Sequence, residues 1–353
     1  MKKAKTAPNG KILIGALFPD KIESEKYGKD TLNGRKIFFK ILPEDQYIRE
    51  LSGYNAIKDY YPVPDLLKKT LKDGIGRLDF DYAECVKNNA GLFIDVLNTK
   101  KQDKAWKEII TIYKKVFLAT IKKIDHSADE IFYKERIDKR LNKFYSRSLW
   151  QRYDGKSISL NGHHLTLGPT KIIDEIRLFF MKKLETWGVV SQGDPTDPNF
   201  CTQPLFFDYQ AGGHNYLTSE FANLFWNNLA LGDYFAPVYH SSVFRDHIWI
   251  YRFLNEPVRD NDKIIFKPAN YRKRILRYYI NEVFYPCLKK IACKDKQYNW
   301  HKEFKYFIAM RILCIFNLTK MKKTDRLLSI CFLQFFFDNE FDNPIEMIDK
   351  LWT

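Results

Sequence analysis

Apolar positions in the first quarter of the chain fall in short runs bounded by turn residues, a spacing that suits strands better than long helices. Residues 11–18, with the run Ile12-Leu13-Ile14-Gly15-Ala16-Leu17-Phe18, are expected to form a first strand after the Pro8-Asn9-Gly10 turn. Asn33-Gly34 is a hairpin-type turn, and the β-branched and aromatic residues 35–42 behind it are expected to form a second. Over 44–59 the period changes: Tyr47, Leu51, Tyr54 and Ile57 share one helical face. The helix should stop before Tyr61-Pro62-Val63-Pro64, because a residue preceding proline is pushed out of helical geometry. A further strand is expected over 77–86. Together these describe a small sheet carrying one helix.

From residue 101 the pattern turns helical. Trp106, Ile109, Ile110, Tyr113, Phe117 and Ile121 recur at helix spacing, and a second helix is expected over 131–145. Residues 157–160 and 163–167 flank Asn161-Gly162 as a hairpin, and Pro169 suits the first turn of a helix running to about residue 187. Beyond Glu220 the chain reads as mainly helical, with a strand expected near 263–266. The fold class is therefore α+β and bilobal: a strand-rich N-terminal lobe over 1–88, a larger helical lobe over 89–353, and a cleft between them.

The chemistry concentrates in Val189-Val190-Ser191-Gln192-Gly193-Asp194-Pro195-Thr196-Asp197-Pro198-Asn199-Phe200. A carboxylate at 194 and a carboxamide at 199 share a Pro- and Gly-rich loop. Leu205-Phe206-Phe207-Asp208-Tyr209 then puts a second carboxylate at the expected end of a short apolar strand. Kinase-type phosphoryl transfer uses an Asp to accept the hydroxyl proton, then an Asn and a second Asp on Mg²⁺, in this order.

On these residues the sequence resembles the aminoglycoside phosphotransferase and choline kinase family, small-molecule kinases with the protein-kinase fold. The family loop H-G-D-x-x-P-x-N is similar to Gln192-Gly193-Asp194-Pro195-Thr196-Asp197-Pro198-Asn199, and its I-D-[WFY] to Phe207-Asp208-Tyr209. Asp208-Tyr209-Gln210-Ala211-Gly212-Gly213-His214-Asn215-Tyr216 with Glu220-Phe221-Ala222-Asn223 resembles the choline-kinase form D-[FY]-E-x-A-G-x-N-Y followed by D-x-A-N. Gln192 replaces the family histidine and is read as a residue bracing the loop. The resemblance implies Asp194 as catalytic base, Asn199 and Asp208 as Mg²⁺ ligands, Lys40 as phosphate clamp and Glu50 as its ion-pair partner. It also implies adenine held by backbone groups at Asp81 and Ala83 in Phe80-Asp81-Tyr82-Ala83-Glu84. ATP or GTP would be the phosphoryl donor, and the acceptor a hydroxyl of an aminoglycoside-, choline- or sugar-like small molecule. The competing reading is a non-catalytic kinase-fold protein that binds nucleotide or RNA. It draws on the missing Gly-rich phosphate loop, for which Lys21-Ile22-Glu23-Ser24-Glu25-Lys26 is a poor substitute, and on a basic cluster at Arg272-Lys273-Arg274 and Arg277.

Composition narrows the partners only in part. Across 353 residues, 58 Lys and Arg against 43 Asp and Glu leave a net charge of +15, which suits an anionic partner without naming one. The cluster around Arg272 is read first as a solvated helix face and second as a nucleic-acid contact. The acidic stretch 338–349 is read first as a surface tail and second as part of a pocket for a cationic acceptor. The six cysteines form no C-x-x-C, and His163-His164 lacks a third metal ligand in range, so reduced thiols in a cytoplasmic protein are expected. No apolar run approaches the roughly 20 residues of a membrane helix, so no membrane partner is expected.

Overall fold

Two tight turns organise the N-terminal sheet. The computed structural model describes residues 26–82, 91–97, 99–240, 244, 250–251 and 254–352; the strand expected over 11–18 lies outside them. β1 (Lys26–Leu32) and β2 (Arg35–Pro43) pair antiparallel across Asn33-Gly34, whose φ values of 48° and 76° are those of a two-residue hairpin turn. Asp73-Gly74, at 50° and 74°, joins β3 (Leu66–Lys72) to β4 (Ile75–Asp81) in the same way. The strand order is β1-β2-β4-β3. β4 is the strand expected over 77–86, displaced toward the N-terminus. β3 has no counterpart among the expected strands, because Leu66-Leu67-Lys68-Lys69-Thr70-Leu71-Lys72 has little apolar alternation; it is a lysine-rich edge strand, mostly exposed, a composition that discourages pairing with other chains.

Period-two alternation in β2 puts Phe38, Lys40 and Leu42 on the buried face and Phe39 and Ile41 on the partly covered one. A lysine thus points where neighbouring positions place apolar side chains. The helix that follows, Glu44–Ile57, buries Tyr47, Glu50, Gly53, Tyr54 and Ile57 at helical spacing, so its apolar stripe carries a carboxylate. Leu51, expected on that face, is only partly buried.

The helical lobe begins with Gln102–Thr120, which buries Trp106, Ile109, Ile110, Tyr113 and Phe117 as expected. β5 (Lys122–Ile124) precedes the helix Glu130–Arg136, continued as a wider turn to Asn142, and the hairpin of β6 (Ser157–Leu160) and β7 (His163–Thr166) forms around Asn161-Gly162. The helix opened by Pro169 ends at Met181 rather than near 187. Thr186–Ser191 is instead β8, buried at every position between β5 and β9 (Gly213–Tyr216); its β-branched and aromatic residues suit a central strand. β10 (Val258–Asp260) and β11 (Lys263–Ile265) extend the β6–β7 hairpin. Helices Asn270–Tyr279, Trp300–Cys314 and Lys323–Asp338 follow. Among the described residues no helix is long and apolar enough to cross a membrane.

Arg272 corrects the reading of its segment as a solvated face. It is fully buried, its guanidinium reaching Asp197 Oδ1 and Oδ2 at 2.9 and 2.7 Å and Asp233 Oδ1 at 2.6 Å. Lys273 and Arg277 turn to Asp349, at 3.0 and 3.3 Å, so part of the basic cluster and part of the acidic stretch neutralise each other. His163 contacts the Lys350 carbonyl, and no group of three His, Cys, Asp or Glu among the described residues could hold a metal ion.

Candidate active site

Lys40 from β2, Glu50 from the following helix and Asp208 from the loop after β8 meet in one buried cluster. Lys40 Nζ lies 2.5 Å from Glu50 Oε1 and 3.2 Å from Asp208 Oδ1. Burial alone would pull the lysine pKa down, but the two carboxylates outweigh it and hold the ammonium above its ordinary range. Glu50 also accepts the Tyr209 N–H at 3.3 Å, which ties the helix to the loop carrying Asp208.

That tie is reinforced by glycine. A Cβ on Gly53 would overlap the Tyr209 carbonyl, and one on Gly212 would press on the Gly53 backbone, so helix and loop touch main chain to main chain. Asp208 does not end a strand as expected. Only an isolated bridge, Phe200 to Phe206, forms there, and Asp208 adopts φ 60°, a left-handed conformation that a short polar side chain tolerates. The four-residue turn between Phe200 and Leu205 closes on one bridge only, because the chain before Phe200 is a tight helical turn, Asp197–Asn199, and not a strand.

Gln192 braces the site as expected. Its Nε2 donates to the carbonyls of Phe207 and Asp208 at 2.7 and 2.5 Å, and its Oε1 accepts the Asp194 N–H at 2.9 Å. One carboxamide thereby fixes both carboxylate-bearing turns. Gly193 supplies the positive φ of 87° between them, where a Cβ would collide with the Ala211 carbonyl. Beneath the loop, Phe200, Phe206, Tyr61 and Tyr113 pack edge to face with centroids 4.9–6.4 Å apart, and the Tyr61 hydroxyl donates to the Val190 carbonyl at 2.8 Å. Aromatic pairs of this kind contribute about 0.5–1.5 kcal/mol each beyond their buried area, enough to make a stiff floor.

Asp194 is not consumed as a cap. Its carboxylate accepts from Asn199 Nδ2 at 3.1 Å and faces Arg311 Nη1 at 3.7 Å. Burial raises its pKa to about 6, against the pull of Arg311 and with a further push from Asp208. Asn199 Nδ2 also donates to the Asp194 carbonyl and Thr196 Oγ1, while its Oδ1 is buried with no hydrogen-bond partner. The orphaned amide oxygen of Asn199 and the carboxylate of Asp208 are hard oxygen donors of the kind Mg²⁺ takes, so these residues fit it. Of the expected adenine contacts, the Asp81 N–H donates to the Asp65 carbonyl at 2.8 Å and its carboxylate pairs with Arg35, while Ala83 lies outside the described residues.

Several residues of the site were given no role in it from the sequence. Arg272 clamps Asp197 inside the loop, Asn223 Nδ2 donates to the Gly193 carbonyl at 3.1 Å, and Arg311 faces Asp194. A lone arginine in Phe307-Ile308-Ala309-Met310-Arg311-Ile312-Leu313-Cys314 is the signal that could have found the last of these, because a charge inside a continuous apolar run is buried and needs a partner.

Glu220, noted above only as standing where the family has Asp, is buried beside Asp129 and Asp194. Burial lifts its pKa to about 8; the nearby Ser191 hydroxyl and Arg311 lower it too little to offset this, and neither carboxylate oxygen makes a hydrogen bond of ordinary geometry. The unfolded chain releases this proton near 4.5 and the folded one near 8, so between those values the native state holds the extra proton and stability falls as pH rises. Glu220→Gln removes that loss. Its thermal midpoint relative to wild type is expected to climb between pH 5 and pH 8.5, by the equivalent of a few kcal/mol at about 1.4 kcal/mol per pKa unit. A gap independent of pH would show that Glu220 does not titrate in this range.

No family model matches the chain and no curated protein matches it. Among solved structures it is similar to a thermostable mutant of aminoglycoside phosphotransferase APH(4)-Ia in apo form, at 10% identity over 91% of each chain with a TM-score of 0.49. A ternary complex of a thermostable mutant of that protein with ADP and hygromycin B has 10% identity over 90% of this chain and 91% of that one, with a TM-score of 0.43. Aminoglycoside phosphotransferase APH(3'')-Id from Streptomyces rimosus has 12% identity over 72% and 92%, with a TM-score of 0.37. At these scores the bilobal fold is carried by the chain's own topology.

Proposed function

We propose that the protein is a small-molecule kinase, transferring the γ-phosphoryl group of ATP or GTP to a hydroxyl. The observation that carries this reading is the convergence of Lys40, Glu50 and Asp208 from three separate elements, next to a loop that sets Asp194 and Asn199 side by side. In this reading residues 1–88 form the nucleotide lobe and 89–353 the lobe with the catalytic loop, the boundary falling at 83–90, outside the described residues.

Lys40 would bind the α and β phosphates, held in place by Glu50. The backbone carbonyl of Asp81 and the N–H of Ala83 would face adenine. Asn199 Oδ1 and Asp208 would hold Mg²⁺, which when bound supplies charge neutralisation on the phosphate oxygens. Asp194 would accept a hydrogen bond from the acceptor hydroxyl, orient its lone pair toward the phosphorus and take its proton. The RNA-binding alternative draws on the segment around Arg272, and the burial of Arg272 removes its central cation from that surface.

Calorimetry with nucleotide and Mg²⁺ tests the reading. Lys40→Ala should weaken binding about 10- to 100-fold, the scale of hydrogen bonds to a charged group, and Glu50→Ala should do so more mildly because the lysine still reaches the phosphates. Unchanged affinity in Lys40→Ala would remove the clamp and with it the kinase reading of the cluster.

A further inference from the structure

The turn Asp197–Asn199 ends on the residue with the orphaned amide oxygen and begins on a carboxylate that takes no part in the cluster around Asp194. Asp197 faces Arg272 instead. Its Oδ1 and Oδ2 accept from Arg272 Nη1 and Nη2 at 2.9 and 2.7 Å, a two-pronged fork, and Oδ1 also accepts from Asn227 Nδ2 at 3.2 Å. Both partners of the fork are buried, Arg272 completely.

Arg272 spends every N–H it has. Nε and Nη2 donate to Asp233 Oδ1 at 3.1 and 2.6 Å, and the second hydrogen of Nη1 goes to Asn228 Oδ1 at 3.3 Å. The guanidinium thus fastens three elements to one another: the turn at 197, the wide-turned helix Asn227–Phe235 and its own helix Asn270–Tyr279. A Cβ on Gly232 would come within 2.7 Å of Asp197 Oδ2 and 2.9 Å of Arg272 Nη2, so backbone closes directly over the fork. Lysine carries the same charge on one atom with three donors, and cannot reproduce a planar fork that reaches three partners.

The turn transmits this hold to the site. Asn199 donates its N–H to the Thr196 carbonyl at 2.9 Å, and its Nδ2 reaches the Asp194 carbonyl, the Asp194 carboxylate and Thr196 Oγ1, so residues 194–199 move as one body. Gln192 pins that body at its first residue, through the Asp194 N–H. Arg272 pins it near its last.

We infer that Arg272 is a positioning residue: through Asp197 it sets where Asn199 Oδ1 and the Asp194 carboxylate stand, and it does so by its fork and not by its charge alone. That Asn199 holds Mg²⁺ rests on the kinase reading; the placing of the loop by Arg272 does not.

The full chain tests it as wild type, Arg272→Lys, Arg272→Met and the double variant Arg272→Met/Asp197→Leu. Calorimetry reads ATP affinity in magnesium and in chelator, melting reads stability, and NMR reads the Asn199 side-chain amide, identified by its loss in Asn199→Ala. All three variants should lose about 10- to 100-fold in affinity in magnesium, the usual loss when a group that orients a metal ligand is removed, and keep the wild-type affinity in chelator. Their Asn199 amide signal should move toward that of an exposed asparagine. Arg272→Met leaves Asp197 buried without its counter-charge, so the double variant, which removes both, should melt above it. That recovered stability should restore neither magnesium affinity nor the Asn199 signal. Recovery of both in the double variant would reduce Arg272 to a structural role, and wild-type affinity with an unmoved Asn199 signal in Arg272→Lys would remove the need for the fork; either result overturns the inference and leaves the kinase reading intact. No Mg-ATP binding by the wild type removes the kinase reading, and the Asn199 signal alone then decides: displaced in the variants it upholds the clamp, unmoved it overturns it.

Discussion

Asp194→Asn is expected to bind Mg-ATP as the wild type does and to transfer phosphate about 10²–10⁴-fold more slowly, the usual loss when a positioned general base is removed. The separation follows from the loop. Asn199, not Asp194, presents the orphaned oxygen to a cation, and Lys40 holds its own pair of carboxylates, so nucleotide sites survive the change. The asparagine still accepts a hydrogen bond from the acceptor hydroxyl and from Asn199, which keeps the loop in place while removing the group that takes the proton. Single-turnover transfer measured beside calorimetric binding checks the two halves independently. Transfer at the wild-type rate would remove Asp194 from the chemistry.

Asp208→Ala is expected to abolish the Mg²⁺ dependence of nucleotide binding. A site built from one carboxylate and one amide oxygen has no reserve ligand once the carboxylate is gone, whereas Lys40 keeps Glu50 and its hold on phosphate. ATP affinity should then be the same in magnesium and in chelator, where the wild type shows a large difference. The fold should persist, because Lys40 retains its shorter contact and the turn at 208 is fixed through backbone carbonyls held by Gln192. A mutant that still binds more tightly with magnesium would place the metal elsewhere.

The parts of the molecule legible in the sequence are those whose determinants are local. Asn33-Gly34 specifies its own turn, residues 44–57 carry their own periodicity, and Gln192, Asp194 and Asn199 lie close enough along the chain to meet within one loop. What escaped depends on neighbours far along the chain. β5 is three residues long and exists because β8, more than sixty residues later, pairs with it; the same pairing takes residues 186–191 away from the helix begun at Pro169. Arg272 looks solvated beside Lys273 and Arg274, and only the approach of Asp197 and Asp233 from elsewhere makes its burial tolerable. Asp208 sits after an apolar run that reads as a strand, yet the segment that would face it, Asp197–Asn199, is a helical turn and leaves no strand to pair with it.

The main-chain contact of Gly53 with Tyr209 and Gly212 bears on control. Kinases that are switched on and off commonly do so by swinging the helix that bears the ion-pair glutamate away from the lysine. Here that helix is seated directly on the backbone beside Asp208, with no side chain between them to slide or repack. Moving Glu50 outward would strip a carbonyl and two glycines of their packing at once and would break its 2.5 Å contact with Lys40. On the kinase reading, the catalyst is therefore assembled as soon as the chain folds, and its output follows the supply of nucleotide and acceptor and the amount of protein made.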